Sequence, residues 1–165
     1  MKKIMVFIAA LFVFVAANQA QTLQSLFEKY DEDERFEYVS VGKGMMNMGG
    51  LFGGIAKKDK EMMHKMQKIR ILTLEADANS QLMKSVVNDL DKVVDEGNFE
   101  TAVEVRDKGE RVNIYYRVIG DDNADMLIVT KEKNEFSVIW ISGKMTKEEM
   151  MYSFSMNGKF NPFMS

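Results

Sequence analysis

Residues 99–141, FETAVEVRDKGERVNIYYRVIGDDNADMLIVTKEKNEFSVIWI, decide the fold of this chain. Apolar and polar side chains alternate along most of the stretch, which is the period of a half-buried β-strand. Polar turn segments interrupt the alternation at 107–110, 120–123 and 131–135. Gly109 in the first of these turns accepts a positive φ without steric penalty. The stretch therefore predicts a four-stranded antiparallel meander.

The same alternation assigns side chains to the two faces of the predicted sheet. In the second strand, Tyr115 shares the outward face with Asn113 and Arg117, while the aliphatic residues lie on the other face. Trp140 in the last strand falls on the face of Phe136. An exposed aromatic face suits carbohydrate or peptide binding, whereas the ordinary arrangement puts one face in the core and tyrosines at the edges.

Two amphipathic helices and two strands are predicted before the meander, with a glycine-rich helical segment at 44–56 between the strands. Residues 22–30 and 80–96 carry apolar side chains at the i, i+3, i+4, i+7 spacing of an amphipathic helix, and Gly97 follows the second one as a stop signal. Residues 36–41 and 69–74 are short apolar runs that predict strands.

A last helix is predicted near 147–155. Thr146 and Glu149 form the pattern of a capping box, and Met145 with Met150 forms a hydrophobic staple around it. The order of elements predicts an α+β fold, an antiparallel sheet with a C-terminal four-stranded meander and helices packed mainly on one face.

The N-terminus is typical of a secretory signal peptide. Two lysines precede an apolar run of about 14 residues, which as a helix is shorter than the hydrocarbon core of a bilayer. We expect cleavage near Ala20, with a cut after Ala17 as the alternative. The sequence thus predicts a signal peptide at 1–20 and a single α+β domain at 21–165, with a loose tail from about 156. The protein is expected in the periplasm or outside the cell.

Composition excludes several function classes. Loss of Lys2 and Lys3 with the signal leaves 20 basic and 25 acidic residues, a balance that argues against a nucleic-acid partner. The chain has no cysteine, so disulfides, thiolate chemistry and an N-terminal lipid anchor are all excluded. His64 is the only histidine, and neither a nucleophile motif nor a P-loop accompanies it. We therefore expect no enzyme and no catalytic residues.

Methionine is the most unusual component, with 15 in 165 residues. Ordinary packing in irregular cores and interfaces is one explanation, because the side chain is unbranched and adaptable. The alternative is a soft-metal site, because thioethers with an imidazole favour Cu(I). Its candidate ligands, with copper as the cofactor, are Met62, Met63, His64 and Met66.

A second candidate site is an interaction patch in the glycine- and methionine-rich segment 44–56. An exposed segment of this composition forms an adaptable surface for an envelope protein or peptide. The basic residues that follow it suggest peripheral contact with an anionic membrane as a further role. The patch consists of Met45, Met46, Met48, Leu51 and Phe52.

Four segments carry a resemblance to a known family: 26–30 (LFEKY), the strand 69–75, the strand start 99–105 and 141–145 (ISGKM). With this pattern the chain resembles a Bacteroidetes secreted and lipoprotein family, the domain of unknown function 4252, over roughly residues 23–152. The resemblance implies export and no catalytic residues. Many family members look like lipoproteins, whereas this chain lacks the acceptor cysteine. The expected function is a non-catalytic binding or interaction module of the cell envelope, with copper binding as the alternative and the oligomeric state open.

Overall fold

The computed structural model describes residues 22–47, 61 and 64–149. These residues form an α+β fold with one six-stranded antiparallel sheet, as the sequence predicts. In chain order the elements are α1 (Leu23–Tyr30), β1 (Phe36–Gly42), α2 (Lys43–Asn47), β2 (Met66–Glu75), α3 (Gln81–Glu96), β3 (Glu100–Asp107), β4 (Glu110–Ile119), β5 (Asn123–Lys131) and β6 (Glu135–Gly143).

The strands lie in the order β1-β2-β6-β5-β4-β3. In the second half of the sheet each strand pairs with the next one along the chain, so the predicted four-stranded meander is confirmed. Strands β1 and β2 pair with each other and extend the meander, because β2 also pairs antiparallel with β6. The edges of the sheet are therefore β1 and β3.

The turn between β3 and β4 is a tight hairpin that sets the register of the two strands. Lys108 and Gly109 have φ values of 45° and 97°, and Asp107 pairs with Glu110 across them. Two central residues with positive φ make the tight hairpin turn whose twist matches that of the strands. This turn fixes the register that places Val105 opposite Val112.

Both long helices pack on one face of the sheet, as predicted. A single apolar cluster joins α1 and α3 to the strands beneath them. Its members with at most 2% exposure include Leu23, Leu26, Phe27, Leu72, Leu74, Val86, Leu90, Val93, Leu127, Val129, Phe136 and Val138. The core therefore lies between this face and the two helices.

Local signals set the limits of these helices. The hydroxyls of Thr22 and Ser80 accept backbone N–H groups at 3.1 Å and cap α1 and α3. A side chain at Gly97 would meet the Val93 carbonyl at 2.5 Å, so glycine permits the close turn that ends α3. Asp89 on α3 accepts hydrogen bonds from Lys29 at 2.5 Å and Tyr30 at 2.7 Å, which ties the two helices together.

Strand β2 begins at Met66, before the predicted start at Ile69. The extension pairs Met66 with Gly143, the last residue of β6. A Cβ at Gly143 would lie 2.5 Å from the Lys65 carbonyl, so the close approach depends on glycine. Hydrophobic periodicity cannot show this contact, because it joins two segments far apart in the chain.

The signal peptide predicted for 1–20 and the tail from about 156 lie outside the described residues, as does most of the helix predicted near 147–155. Its first turn is described, and residues 147–149 are helical. The Thr146 N–H donates to Glu149 Oε2 at 3.1 Å and the Glu149 N–H donates to Thr146 Oγ1 at 3.2 Å, so the capping box is confirmed. Within the part of the chain that the structure describes, no helix has the length and hydropathy to cross a membrane.

Candidate functional site

The side of the sheet opposite α1 and α3 is the open face. Part of this face forms a second apolar cluster, to which neither long helix contributes a residue. The buried members of this cluster are Ile114, Tyr116, Ala124, Met126 and Met145. The open face therefore differs from the core face in having no layer of helix from α1 or α3.

The face assignment predicted from sequence is wrong for β4. Tyr115, predicted to point outward, packs at the border of the core cluster beneath the helices. Trp140 lies in that same cluster, as predicted, at 9% exposure. The aliphatic residues of β4 face the open side instead. The proposed aromatic binding face is thus covered by helices.

Paired charges explain how polar side chains are accommodated on the covered face. Asp125, which is 4% exposed, accepts the indole N–H of Trp140 at 2.9 Å. It also accepts two hydrogen bonds from Arg117, at 2.9 and 2.7 Å. Arg117 donates further to the Gly97 carbonyl at 3.2 Å and lies 4.5 Å from the Phe99 ring centroid. The network joins the end of α3 to three strands and holds the helices on this side.

One aliphatic side chain from each strand contributes to a continuous row across the open face, the aliphatic row. In order across the sheet its members are Val39, Ile71, Ile139, Ile128, Ile114 and Val103. The two edge members are 42% and 36% exposed, and Ile114 is buried at 3%. The solvated face of an antiparallel sheet ordinarily carries polar residues, so a continuous aliphatic row is typical of a surface that another element or a partner covers.

One end of the open face is anchored by the start of the last helix. Met145, at 1% exposure, packs with Tyr116 and Met126. Lys147 Nζ lies 4.7 Å from the ring centroid of Tyr116. The ion pair between Lys65 and Glu149 lowers the pKa of Glu149 and fixes the same turn. This end is therefore closely packed.

Carboxylates crowd the other end of the open face and form the acidic rim. Its members are Glu75, Glu110, Glu132 and Glu135. Glu75 lies directly opposite Glu135 in the pairing of β2 with β6. The rim lines a cavity of about 800 Å³, together with Asp77 and the lysines 108 and 133. The pKa of Glu132 is raised, first by burial and then by the charges of Glu110 and Glu135.

The structure places only two of the four predicted metal ligands. His64 is exposed, and Met66 is half-buried against the open-face cluster. Met62 and Met63 lie outside the described residues. Among residues 22–47, 61 and 64–149, no group of three or more carboxylate or histidine side chains is arranged to hold a metal ion. The copper site stays a prediction.

The predicted interaction patch is described in part. Met45 is 54% exposed, whereas Met46 is buried at 4%. Met48, Leu51 and Phe52 lie outside the described residues. The role of this patch in binding also stays a prediction.

Sequence reasoning missed both the aliphatic row and the acidic rim. Each requires the register between strands, and the pairing of β2 with β6 joins residues that are about 60 positions apart. A signal was present, because Glu75, Glu110 and Glu135 each stand at a strand end beside a turn. Acidic residues at turns ordinarily serve solubility, so their positions in the sequence did not indicate that they come together at one end of the sheet.

Comparison with known proteins gives one result. The family described as a domain of unknown function (DUF4252) matches residues 30–152. No curated protein and no solved structure matches the chain.

Proposed function

We propose that this chain, which belongs to the DUF4252 family of unknown function, is a non-catalytic binding module that captures a partner protein or peptide on its open face. The aliphatic row is the observation that carries the proposal. The exposed members of the row are its edge residues Val39 and Val103, and Ile71, Ile128 and Ile139 between them are half-buried. These side chains lose contact with water when a partner covers them, and this stabilises the complex.

The place of action in this proposal is the cell envelope. The signal peptide predicted at 1–20 supports export, and the family resemblance to Bacteroidetes secreted proteins supports the same compartment. Capture of a partner protein or peptide in the cell envelope requires no catalytic group. His64, the one histidine of the chain, is exposed, and it precedes β2 at the closely packed end of the sheet rather than beside the cavity.

Site-specific photocrosslinking tests the binding face. A photoreactive amino acid replaces Val39 or Val103 in the exported chain, and the matched control carries it at Ile119, which is 47% exposed and has the strand parity of the covered face. The proposal predicts one discrete crosslinked partner from the two row positions and none from Ile119. Equal crosslinking at all three positions would contradict it.

A second test asks whether the row itself supplies affinity. The double substitution Val39→Thr and Val103→Thr keeps β-branched side chains in both edge strands while removing apolar surface. We expect loss of partner capture with an unchanged melting temperature. Ile119→Thr is the control and should retain capture. Unchanged capture by the double variant would show that the partner binds elsewhere.

Copper binding is the second candidate function. Its support is the position of His64, which is exposed within two residues of Met66 at the start of β2. Titration of Cu(I) against a competing chelator would compare the wild type with a Met62, Met63, His64 and Met66 quadruple substitution. The proposal predicts weaker binding in the variant. Equal affinity in the two proteins would remove it.

A further inference from the structure

We propose that the partner segment on the open face is an amphipathic helix with a basic flank, whose apolar stripe lies along the aliphatic row and whose lysine or arginine side chains reach the acidic rim. This inference rests on the proposed function and adds the chemistry of the ligand.

The row and the rim run parallel to each other. The row crosses all six strands, which is a span of about 24 Å at roughly 4.8 Å between strands. The rim runs in the same direction, from the ends of β2 and β6 through the turn after β5 to the start of β4. A ligand that contacts both must therefore lie across the strands, with its charged groups along one side and its apolar groups along the other.

The separation of row and rim fits the dimensions of a helix. Along β2 and β6, the pair Glu75 and Glu135 stands four residues from the pair Ile71 and Ile139, or about 13 Å at roughly 3.3 Å per residue. A helix is about 10–12 Å across with its side chains. A helix that lies on the aliphatic row therefore places a lysine or arginine on its flank within reach of the acidic rim. Helix on sheet is also the ordinary layer arrangement of α+β domains, and the covered face already shows it.

The charge of the rim selects a cationic flank. In the described part of the chain, none of its four carboxylates forms an ion pair within 4.0 Å, whereas Asp33, Glu104 and Asp91 each pair with an arginine or lysine. Burial raises the pKa of Glu132 most, and the charges of Glu110 and Glu135 raise it further. A cationic partner relieves this repulsion, and complementary charge fixes the direction in which a ligand binds.

Other ligand classes fit less well. The cavity lining has five carboxylates against the lysines 108 and 133, so an anionic membrane or a nucleic acid is repelled. A single divalent ion is far smaller than a cavity of about 800 Å³. A second copy of the chain would bring a second acidic rim into the interface. The experiment below distinguishes the helical peptide from a membrane and from a second copy of the chain.

The test uses the mature chain and three labelled peptides of about 16 residues, which is the helical length that spans the row at roughly 1.5 Å per residue. The first has leucines at i, i+3, i+4 and i+7 positions with lysines along one flank. The second carries glutamate in place of every lysine. The third has the same composition as the first in scrambled order. Fluorescence anisotropy measures binding, and the affinity for the lysine peptide should fall as salt is raised.

Two sets of variants separate the rim from general charge. The rim variant is Glu75→Gln, Glu132→Gln and Glu135→Gln. The charge-matched control is Glu28→Gln, Glu61→Gln and Asp95→Asn, three exposed residues outside the rim. The proposal predicts that the rim variant binds the lysine peptide about tenfold more weakly, while the control stays within about twofold of the wild type. The glutamate and scrambled peptides should bind at least about tenfold more weakly than the lysine peptide.

The outcomes distinguish this inference from the proposed function. If Val39→Thr with Val103→Thr weakens binding but the rim variant does not, the basic flank is wrong and the binding face stands. If the lysine peptide binds but neither variant has an effect, both ideas fail. If the lysine peptide does not bind the wild type, this inference fails, and crosslinking at Val39 and Val103 decides the proposed function. Binding to vesicles of phosphatidylglycerol instead of the peptide, or a doubled mass in light scattering without peptide, would overturn the inference in favour of a membrane or a second copy.

Discussion

Replacing Asp125 by alanine tests the network that fixes which face of the sheet the helices cover. The carboxylate is 4% exposed and holds both Trp140 and Arg117. Its removal leaves a buried indole N–H and a partly buried guanidinium without their acceptor. Breaking a buried ion pair in this way ordinarily costs about 3–5 kcal/mol.

The structure places the expected cost at the lower end of that range. The Arg117 side chain is 23% exposed and keeps its hydrogen bond to the Gly97 carbonyl, so water and this carbonyl retain part of the charge solvation. We therefore expect Asp125→Ala to lower the free energy of unfolding by about 3 kcal/mol at pH 7. A domain of this size is stable by about 5–15 kcal/mol, so the variant should still fold.

Urea unfolding of the mature chain measures this loss directly. Trp140 is the only tryptophan, so its fluorescence reports the network itself. The control is Asp122→Ala, which removes an exposed pair with Lys144 at 3.8 Å and should cost no more than about 1 kcal/mol. A loss below about 1 kcal/mol for Asp125→Ala would show that the carboxylate is dispensable for packing the covered face.

Two further predictions concern the open face and its supports. Because burial and neighbouring carboxylates raise the pKa of Glu132, its ionisation disfavours the folded state, so Glu132→Gln should raise the melting temperature at pH 7. This gain should vanish in melts below about pH 4, where the wild-type carboxyl is protonated in both states, and a gain that persists there would contradict the electrostatic cause. Gly143→Ala should lower stability by about 1–3 kcal/mol in the same melts, since the new Cβ would lie 2.5 Å from the Lys65 carbonyl. Gly44→Ala is the matched control with nothing within 4 Å, and equal effects of the two substitutions would show that the close approach of Lys65 to Gly143 is unimportant.

Local sequence signals predicted the secondary structure closely, because the deciding interactions are local. Alternation and the turn at Lys108 and Gly109 define the meander, and the spacing from Leu23 to Tyr30 defines α1. Capping residues such as Thr146 mark helix starts through bonds to residues three positions away. These signals need no knowledge of the rest of the fold.

Local signals did not predict which side chains of β4 face the helices and which face the open side of the sheet. Arg117 and Asn113 look solvent-facing in isolation, yet Arg117 is accommodated beneath α3 because Asp125 faces it from β5. The pattern of one strand does not show which polar residue its neighbour supplies. The acidic rim could not be predicted for the same reason, since Glu75 and Glu135 are brought together only by the pairing of β2 with β6.

Methyl-selective NMR tests the central claim, that the open face is the binding face, most directly. In the sheet, isoleucines 71, 128 and 139 lie on the open face, while leucines 72, 74 and 127 lie in the covered core. The assigned methyl signals of these six residues in the mature chain therefore report the two faces separately. With the lysine peptide, we expect the methyl signals of these isoleucines to shift and those of these leucines to stay unchanged. Shifts confined to the leucines, or spread equally over both sets, would contradict it.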